Sequence, residues 1–240
     1  MTPNRIMFWQ IDHVWAFYVL ATLSTVLFLA GLGAHILVWK HSAKSSKISF
    51  SGDALRKMLL DAFLGRRLFQ GDVPAGVMHL LIFWGFLVLF MGTSVLAIHH
   101  YLILFLEGRA HLVFSLIMEL AGLMLLAGIL WALIRRYLQC VPRLERRLED
   151  ALVPLWLLLM VFSGFILEAL RLSSQQPAWG AWSFVGWWVS GLFSPGSAEA
   201  FYPFCWWIHT LLCLIFIAPI PYTKLFHIMG APAGIYFQGA

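Results

Sequence analysis

Five apolar segments, each long enough to cross a lipid bilayer, account for most of this 240-residue chain. They cover about residues 13–39, 75–106, 110–138, 150–171 and 203–226. A crossing needs about 20 apolar residues, and in lipid only a helix or a closed barrel satisfies its own backbone polar groups. The composition agrees, with 61% hydrophobic and 11% charged residues. The sequence therefore predicts an all-α integral membrane protein, a five-helix bundle forming a single domain over residues 1–240.

The placement of basic residues predicts the orientation of this bundle. Two connections, 40–74 and 135–149, and the end of the last segment hold most of them: Lys40, Lys44, Lys47, Arg56, Lys57, Arg66, Arg67, Arg135, Arg136, Arg143, Arg146, Arg147 and Lys224. The opposite side has Arg5, Arg109 and Arg171. Because cytoplasmic loops are enriched in Lys and Arg, we expect the N-terminus outside and the C-terminus in the cytoplasm, with the chain multi-pass in the cell inner membrane. The net charge of +5 then reflects topology and lipid contact, not nucleic-acid binding.

Two connections between the spans carry patterns of their own. Residues 47–72 mix charged and apolar residues at helical spacing, which predicts an amphipathic helix at the cytoplasmic surface. A surface helix alone and a platform for a docked partner explain this pattern equally well. Residues 172–202 are rich in Trp, Gly and Ser, which favours a loop half-sunk in the outer leaflet over a lid above a lipophilic substrate.

Histidines within the spans are the candidate functional residues. His209 and His227 are eighteen residues apart, which on one continuous helix places both imidazoles on one face, roughly 27 Å apart. His79 lies on the second segment, which runs antiparallel to the last, so His79 and His227 both fall near the cytoplasmic side. Intramembrane histidines are costly and usually functional. Axial ligation of two stacked haems fits this vertical arrangement best.

His209 needs a partner near the outer side, and three histidines are available. On an ideal helix His100 lies closest to the required face, so we rank it first, His111 second and His99 third. Each of these three, taken alone, also fits a plain residue of the membrane interface. The three cysteines, Cys140, Cys205 and Cys213, lack the spacing of an iron–sulfur motif, so any cluster must belong to another chain.

Two stretches carry a family resemblance: GVMHLLIFWGFLVLFMG around His79 and FCWWIHTLLCLIFIAPIPYTKLFHIMGAPA, which contains His209 and His227. They resemble the cytochrome b family of the respiratory nitrate reductase gamma subunit, and look closer to the membrane subunits of heterodisulfide-reductase-like complexes, including those of sulfate reducers. The resemblance covers essentially the whole chain. Its most specific part is PYTKLFHIMGAP around His227.

The resemblance implies roles for individual residues. In that family the histidines of span five bind two b haems, and the cytoplasmic haem is shared with the first histidine of span two. His79 and His227 would take that role, and His209 would bind the distal haem. The nitrate reductase type has a second span-two histidine where this chain has Leu89. The distal ligand would therefore be His100 or His111, or the distal haem is absent; we favour two haems over one.

The family also implies a quinone, which in the nitrate reductase type binds near the distal haem beside a basic residue at the start of span three. Arg109 and His111 occupy that place here. Quinone chemistry also requires proton carriers, for which Glu168 is a candidate and Glu119 a weaker one. A simple pair with Arg171 explains Glu168 about as well. Lys224 could neutralise a haem propionate or only anchor the helix end.

The sequence thus predicts a haem b subunit that carries electrons between the quinone pool, menaquinone included, and a cytoplasmic iron–sulfur subunit of the heterodisulfide-reductase-like type. Further membrane or periplasmic redox subunits fit the same scheme. The alternative is a proton-coupled transporter without haem, whose histidines would line a proton path. That alternative predicts paired halves with broken helices, which the sequence does not show.

Overall fold

The computed structural model describes residues 2–42, 51–141 and 148–239, and all regular structure in these ranges is helical. Five of the helices there are long and apolar enough to cross a membrane. They are α1 (Val14–Ser42), α4 (Val73–Tyr101), α5 (Arg109–Leu133), α6 (Leu148–Gln175) and α8 (Pro195–Ile217). The shorter helices are α2 (Gly52–Met58), α3 (Arg66–Gly71), α7 (Phe184–Ser190) and α9 (His227–Gly239). The predicted all-α fold with five apolar spans is therefore confirmed.

The last span ends earlier than the sequence suggested. α8 stops at Ile217, two short 3₁₀ turns follow (Ile220–Tyr222 and Lys224–Phe226), and His227 begins a separate helix. Pro219 and Pro221 explain the break, because each lacks the backbone N–H that a continuing helix needs. The prediction that His209 and His227 share one face of one continuous helix is therefore wrong.

The predicted amphipathic segment 47–72 is two helices instead of one. Its first residues, 47–50, lie outside the described residues, as do the lysines and arginines at 44, 47, 143, 146 and 147. After a π-helical turn at Leu59–Phe63, Gly65 adopts a left-handed conformation with φ 64° and separates α2 from α3. The buried Asp61 carboxylate pairs with Arg66 and Arg67, at 2.8 and 3.0 Å, and ties the two sides of this break together.

Two compact units divide the chain, with boundaries at the start of α1, inside α4 and inside α8. In the first unit, which combines the residues up to Val14 with Met78–Leu212, α4 and α5 approach closely at glycines. A methyl group at Gly85 would lie 2.6 Å from the Leu125 nitrogen, and one at Gly128 would lie 2.9 Å from the Ile82 nitrogen. Small residues in spanning helices serve this kind of backbone contact. Gly85 and Gly128 are therefore helix-packing residues.

The N-terminal segment, residues 2–13, also belongs to the first unit. The Pro3 carbonyl accepts a hydrogen bond from the Gly108 N–H at 2.8 Å, and Gln10 donates to Glu199 at 2.8 Å. Ile11 is buried in a core cluster formed with residues of α6 and α8: Leu167, Leu170, Ala198 and Tyr202. The segment is thus packed across the start of α8.

In the second unit, Trp15–Val77 with Cys213–Ala240, α1 contacts the end of α8 and the chain that follows it. Ser24 donates to the Leu214 carbonyl at 2.9 Å, and the Tyr222 hydroxyl donates to the Leu27 carbonyl at 2.8 Å. Gly31 allows the close approach, since a methyl group there would lie 2.7 Å from the Pro221 Cβ atom. Within the same unit, α2 packs against α9.

Candidate functional site

His227 is held in one tautomer by the turn that precedes it. Its Nδ1 lies 2.8 Å from the Lys224 carbonyl oxygen. Because a carbonyl can only accept, Nδ1 carries a proton, and in the neutral imidazole Nε2 then carries the lone pair. A backbone carbonyl on one ring nitrogen is the usual partner of a histidine whose other nitrogen binds a metal. The imidazole is exposed at the surface of the second unit.

His35 positions the turn before His227, a role that sequence reasoning missed. Its Nε2–H donates to the Pro221 carbonyl at 2.8 Å, and its ring stacks on Phe226 with centroids 3.8 Å apart and planes 12° apart. Gly31 and His35 are one helical turn apart on α1, so both face the same chain segment. Such spacing occurs on any helix, so the pattern alone assigns His35 no function.

His209 is also held through Nδ1, in the first unit. Its Nδ1 lies 2.9 Å from the Ser163 hydroxyl oxygen, and that hydroxyl donates to the Met160 carbonyl at 3.0 Å. Since a hydroxyl has one proton, Ser163 can satisfy both contacts only by accepting from Nδ1–H. Nε2 of His209 therefore carries the lone pair. Gly164 lies beside the ring, where a methyl group would be 3.4 Å from Cε1.

His79 and Lys224 complete the set predicted for the cytoplasmic haem. His79 is half-buried in α4, with its ring parallel to that of Phe83 at a centroid distance of 6.4 Å. It belongs to the first unit and His227 to the second. Lys224 is exposed, and its carbonyl is the acceptor that fixes His227. The predicted sharing of one haem by His79 and His227 stays a prediction.

The candidates for the distal ligand differ in their surroundings. His100 is exposed at the end of α4. Its ring and that of Phe8 form a T-shaped pair with centroids 5.9 Å apart. Phe8 also packs against Trp206, which lies one helical turn before His209; the centroids of the two rings are 5.8 Å apart. A phenyl ring therefore bridges His100 and this part of α8. His111 is 2% exposed in the first turn of α5 and interacts electrostatically with Arg171, Arg5 and Glu168.

His99, the third candidate, is buried and supports the connection between α4 and α5. Its Nδ1 accepts hydrogen bonds from the Phe105 and Leu106 amides, at 3.1 and 3.0 Å. Two donors on Nδ1 require the lone pair to be there, so the proton is on Nε2. This is the opposite tautomer from that of His209 and His227. His99 is a hydrogen-bond donor in this state and not an iron ligand.

Glu168, predicted as a proton carrier or an ion-pair partner, forms the ion pair. Arg171 contacts its two carboxylate oxygens through Nη2 at 2.7 Å and Nε at 3.2 Å, and the Ser183 hydroxyl adds a third bond at 3.0 Å. Arg171 itself is 4% exposed. Arg109, the predicted quinone residue, is exposed at the first position of α5.

Glu119 has a structural partner that the sequence did not reveal. It is 4% exposed, and its carboxylate accepts hydrogen bonds from the Val185 amide at 3.0 Å and the Gly186 amide at 3.4 Å. These amides open α7, whose first turn lacks intrahelical partners for its N–H groups. The connection predicted as a half-sunk loop is therefore anchored to both α5 and α6.

Within the described ranges, no three side chains of His, Cys, Asp and Glu converge as a metal site. The donors in question are single imidazoles with defined tautomers. A haem iron takes one or two protein ligands, commonly a neutral histidine nitrogen, so His209 and His227 are chemically suited to that group.

Comparison with known proteins decides the family. The model of the nitrate reductase gamma subunit family matches residues 14–239. The chain belongs to the nitrate reductase gamma subunit family. Family membership and the five apolar helices make it a multi-pass membrane protein of an oxidoreductase family, as the resemblance implied. No solved structure matches the chain significantly.

Three relatives show how the chain compares in length. It is 28% identical to the EtfAB:quinone oxidoreductase of Syntrophomonas wolfei, over 98% of this chain and 35% of that protein. It is 28% identical to the probable iron-sulfur-binding oxidoreductase FadF of Bacillus subtilis, over 72% of this chain and 25% of that protein. A subunit of the dihydromethanophenazine:CoB–CoM heterodisulfide reductase of Methanosarcina thermophila is 26% identical over 82% of this chain and 71% of that protein. The chain thus spans about a third or less of the first two relatives.

Proposed function

We propose that this chain is a haem b membrane subunit of a respiratory redox complex. It carries electrons between the quinone pool and a cytoplasmic iron–sulfur partner of the heterodisulfide-reductase-like type. The main observation in favour is that His209 and His227, on a family-matched framework, are both fixed through Nδ1 with the lone pair on Nε2. The names of the relatives, a quinone oxidoreductase, an iron-sulfur-binding oxidoreductase and a heterodisulfide reductase component, support the two ends of this path.

The haem, when bound, supplies reversible one-electron transfer, and the protein supplies ligands and their orientation. We propose Nε2 of His227 and His79 as ligands on the cytoplasmic side, and Nε2 of His209 on the distal side. His100 and His111 remain the candidates for the second distal ligand. Lys224 is the proposed partner of a propionate. His35 holds the turn before His227 in place, and Ser163 holds the ring of His209.

The substrate proposed for the distal end is a membrane quinone. Its conversion moves two electrons and two protons, so it needs polar groups beside an electron carrier. Arg109 and Glu168 are the residues proposed from the sequence. The docking platform proposed for the iron–sulfur partner is α2 with α3, where the Arg66 and Arg67 side chains are 52% and 54% exposed.

A visible spectrum of the purified chain, combined with a pyridine haemochrome titration, tests this function. We expect b-type bands on reduction and one or two haems per chain, with two favoured. Menadiol should reduce the bound haem. A colourless preparation from cells that fill other b cytochromes normally would contradict the proposal and favour the transporter alternative.

Ser163→Ala should weaken haem binding at His209 without preventing folding. The substitution removes the oxygen that accepts from Nδ1–H. Loss of such an outer-shell partner typically lowers the affinity of a metal site about 10- to 100-fold. The measurement is a haem titration of the apo-protein, followed by the Soret band.

Ser163→Thr is the matched control, because it keeps a hydroxyl at the same position. Affinity within about threefold of the wild type is expected for it, well below the loss typical of a missing outer-shell partner. Equal haem affinity in the alanine and threonine variants would show that Ser163 does not orient a ligand.

A further inference from the structure

A cavity of about 230 Å³ lies in the first unit, between the N-terminal segment and the end of α4. Its polar lining includes Arg5, His99, His100 and Glu107, and its apolar lining includes Leu96 and Leu104. Polar groups converging in a mostly apolar pocket are the usual form of a small-molecule site. The sequence did not bring these residues together, because Arg5 is more than ninety positions from His99.

His99 contributes a hydrogen-bond donor of fixed direction to this cavity. Its Nδ1 is engaged by the amides of Phe105 and Leu106, so the proton is on Nε2. The side chain is 8% exposed, which leaves it little room to reorient. The ring nitrogen available to a ligand in the cavity is therefore Nε2–H, a donor to a carbonyl oxygen.

Arg5 adds a second donor, and Glu107 adds an acceptor. Arg5 is oriented by its surroundings, since it hydrogen-bonds Tyr202 and interacts electrostatically with Glu168. A planar quinone head group presents two carbonyl acceptors, and the corresponding quinol presents two hydroxyl donors. The cavity offers partners of both kinds.

One wall of the cavity is apolar and continues into exposed apolar side chains. Leu104 lines it and is 75% exposed, and the adjacent Leu102 and Ile103 are 75% and 65% exposed. A contiguous run of exposed apolar side chains beside a spanning helix marks a surface that contacts lipid or a partner. This wall suits the isoprenoid tail of a ligand that enters from the bilayer.

We propose that this cavity binds the head group of a lipophilic quinone, with Arg5 and His99 Nε2–H as donors to its carbonyl oxygens. This deepens the proposed function, on which the choice of a quinone rests. The family match begins at residue 14, so Arg5 and its neighbours in the cavity wall lie outside it. The site therefore combines the N-terminal segment with residues inside the match, His99 and Glu107 among them.

The test is binding of a fluorescent heptyl-hydroxyquinoline N-oxide, a mimic of a bicyclic quinone, to the full chain in nanodiscs. Arg5→Gln should weaken binding about tenfold, the value of one charge-assisted hydrogen bond. Leu96→Trp should abolish binding by filling the cavity while leaving both donors in place.

The contribution of His99 is tested by two substitutions. His99→Gln keeps an acceptor for the Phe105 and Leu106 amides, so this variant should bind the probe more tightly than His99→Leu does. Lys40→Gln is the control, because Lys40 is an exposed cation at the end of α1 in the second unit and has no proposed role, so this variant should bind like the wild type.

Haem content, measured on the same samples, separates this inference from the proposed function. Probe fluorescence does not require haem, so a colourless chain that binds the probe in the cavity would overturn the haem proposal alone. Wild-type binding by both Arg5→Gln and Leu96→Trp, in variants with normal haem content, would overturn the cavity. Loss of binding in Arg109→Gln with no change in Arg5→Gln would likewise place the head group at α5 and refute this site.

Discussion

His227→Ala is expected to lose one haem per chain and to stop electron transfer to the soluble partner. The imidazole is fixed through Nδ1–H to the Lys224 carbonyl. The turn before it is held by His35 of α1, which bonds the Pro221 carbonyl and stacks on Phe226. Alanine removes the nitrogen that we propose as the iron ligand and leaves this backbone arrangement in place, so folding should be retained. The measurement is a pyridine haemochrome titration, together with menadiol-driven reduction of the iron–sulfur partner.

His41→Ala is the matched control for this variant. His41 is also exposed, and its Nδ1 also donates to a backbone carbonyl, that of Leu37, at 2.8 Å. It lies at the end of α1 and has no proposed ligand role, so the haem content should equal that of the wild type. Full haem content in His227→Ala would remove this residue from the ligand set and leave the cytoplasmic haem without support.

The features that sequence reasoning predicted correctly depend on properties of neighbouring residues in the chain. Span length and hydropathy are properties of consecutive residues, so the five helices were found, and α1 begins within one residue of its predicted start. The error at the end of α8 came from weighing a continuous apolar run above Pro219 and Pro221.

The parts that were missed depend on contacts between distant residues. Nothing periodic marks residues 2–13, yet Arg5 reaches Tyr202 and Phe8 contacts Trp206. Likewise the amides of α7 meet Glu119 from 66 positions away in the chain. Partners such as these are fixed by tertiary packing and leave no local pattern. The orientation and tautomer of the His99 ring were unpredictable for the same reason, because the backbone amides of Phe105 and Leu106 determine them.

Arg171→Leu is expected to destabilise the chain by about 3 kcal/mol, near the lower end for breaking a buried ion pair. The guanidinium is 4% exposed and bonds both oxygens of Glu168, so its removal leaves the carboxylate without its ion-pair partner, although the electrostatic attraction of Arg5 remains. Two features keep the loss near the lower end: the Glu168 side chain is 17% exposed, and Ser183 still donates to it. The measurement is unfolding by sodium dodecyl sulfate in mixed micelles, followed by the far-UV helix signal.

The double variant Glu168→Leu with Arg171→Leu distinguishes a lost charge pair from lost packing. Replacing both partners by apolar side chains removes the unpaired charge, so the double variant should recover more than half of the stability lost by Arg171→Leu. Arg109→Leu, an exposed arginine at the start of α5, should change stability by no more than about 0.5 kcal/mol. A double variant as unstable as the single one would mean that Arg171 stabilises the chain by packing and not by pairing with Glu168.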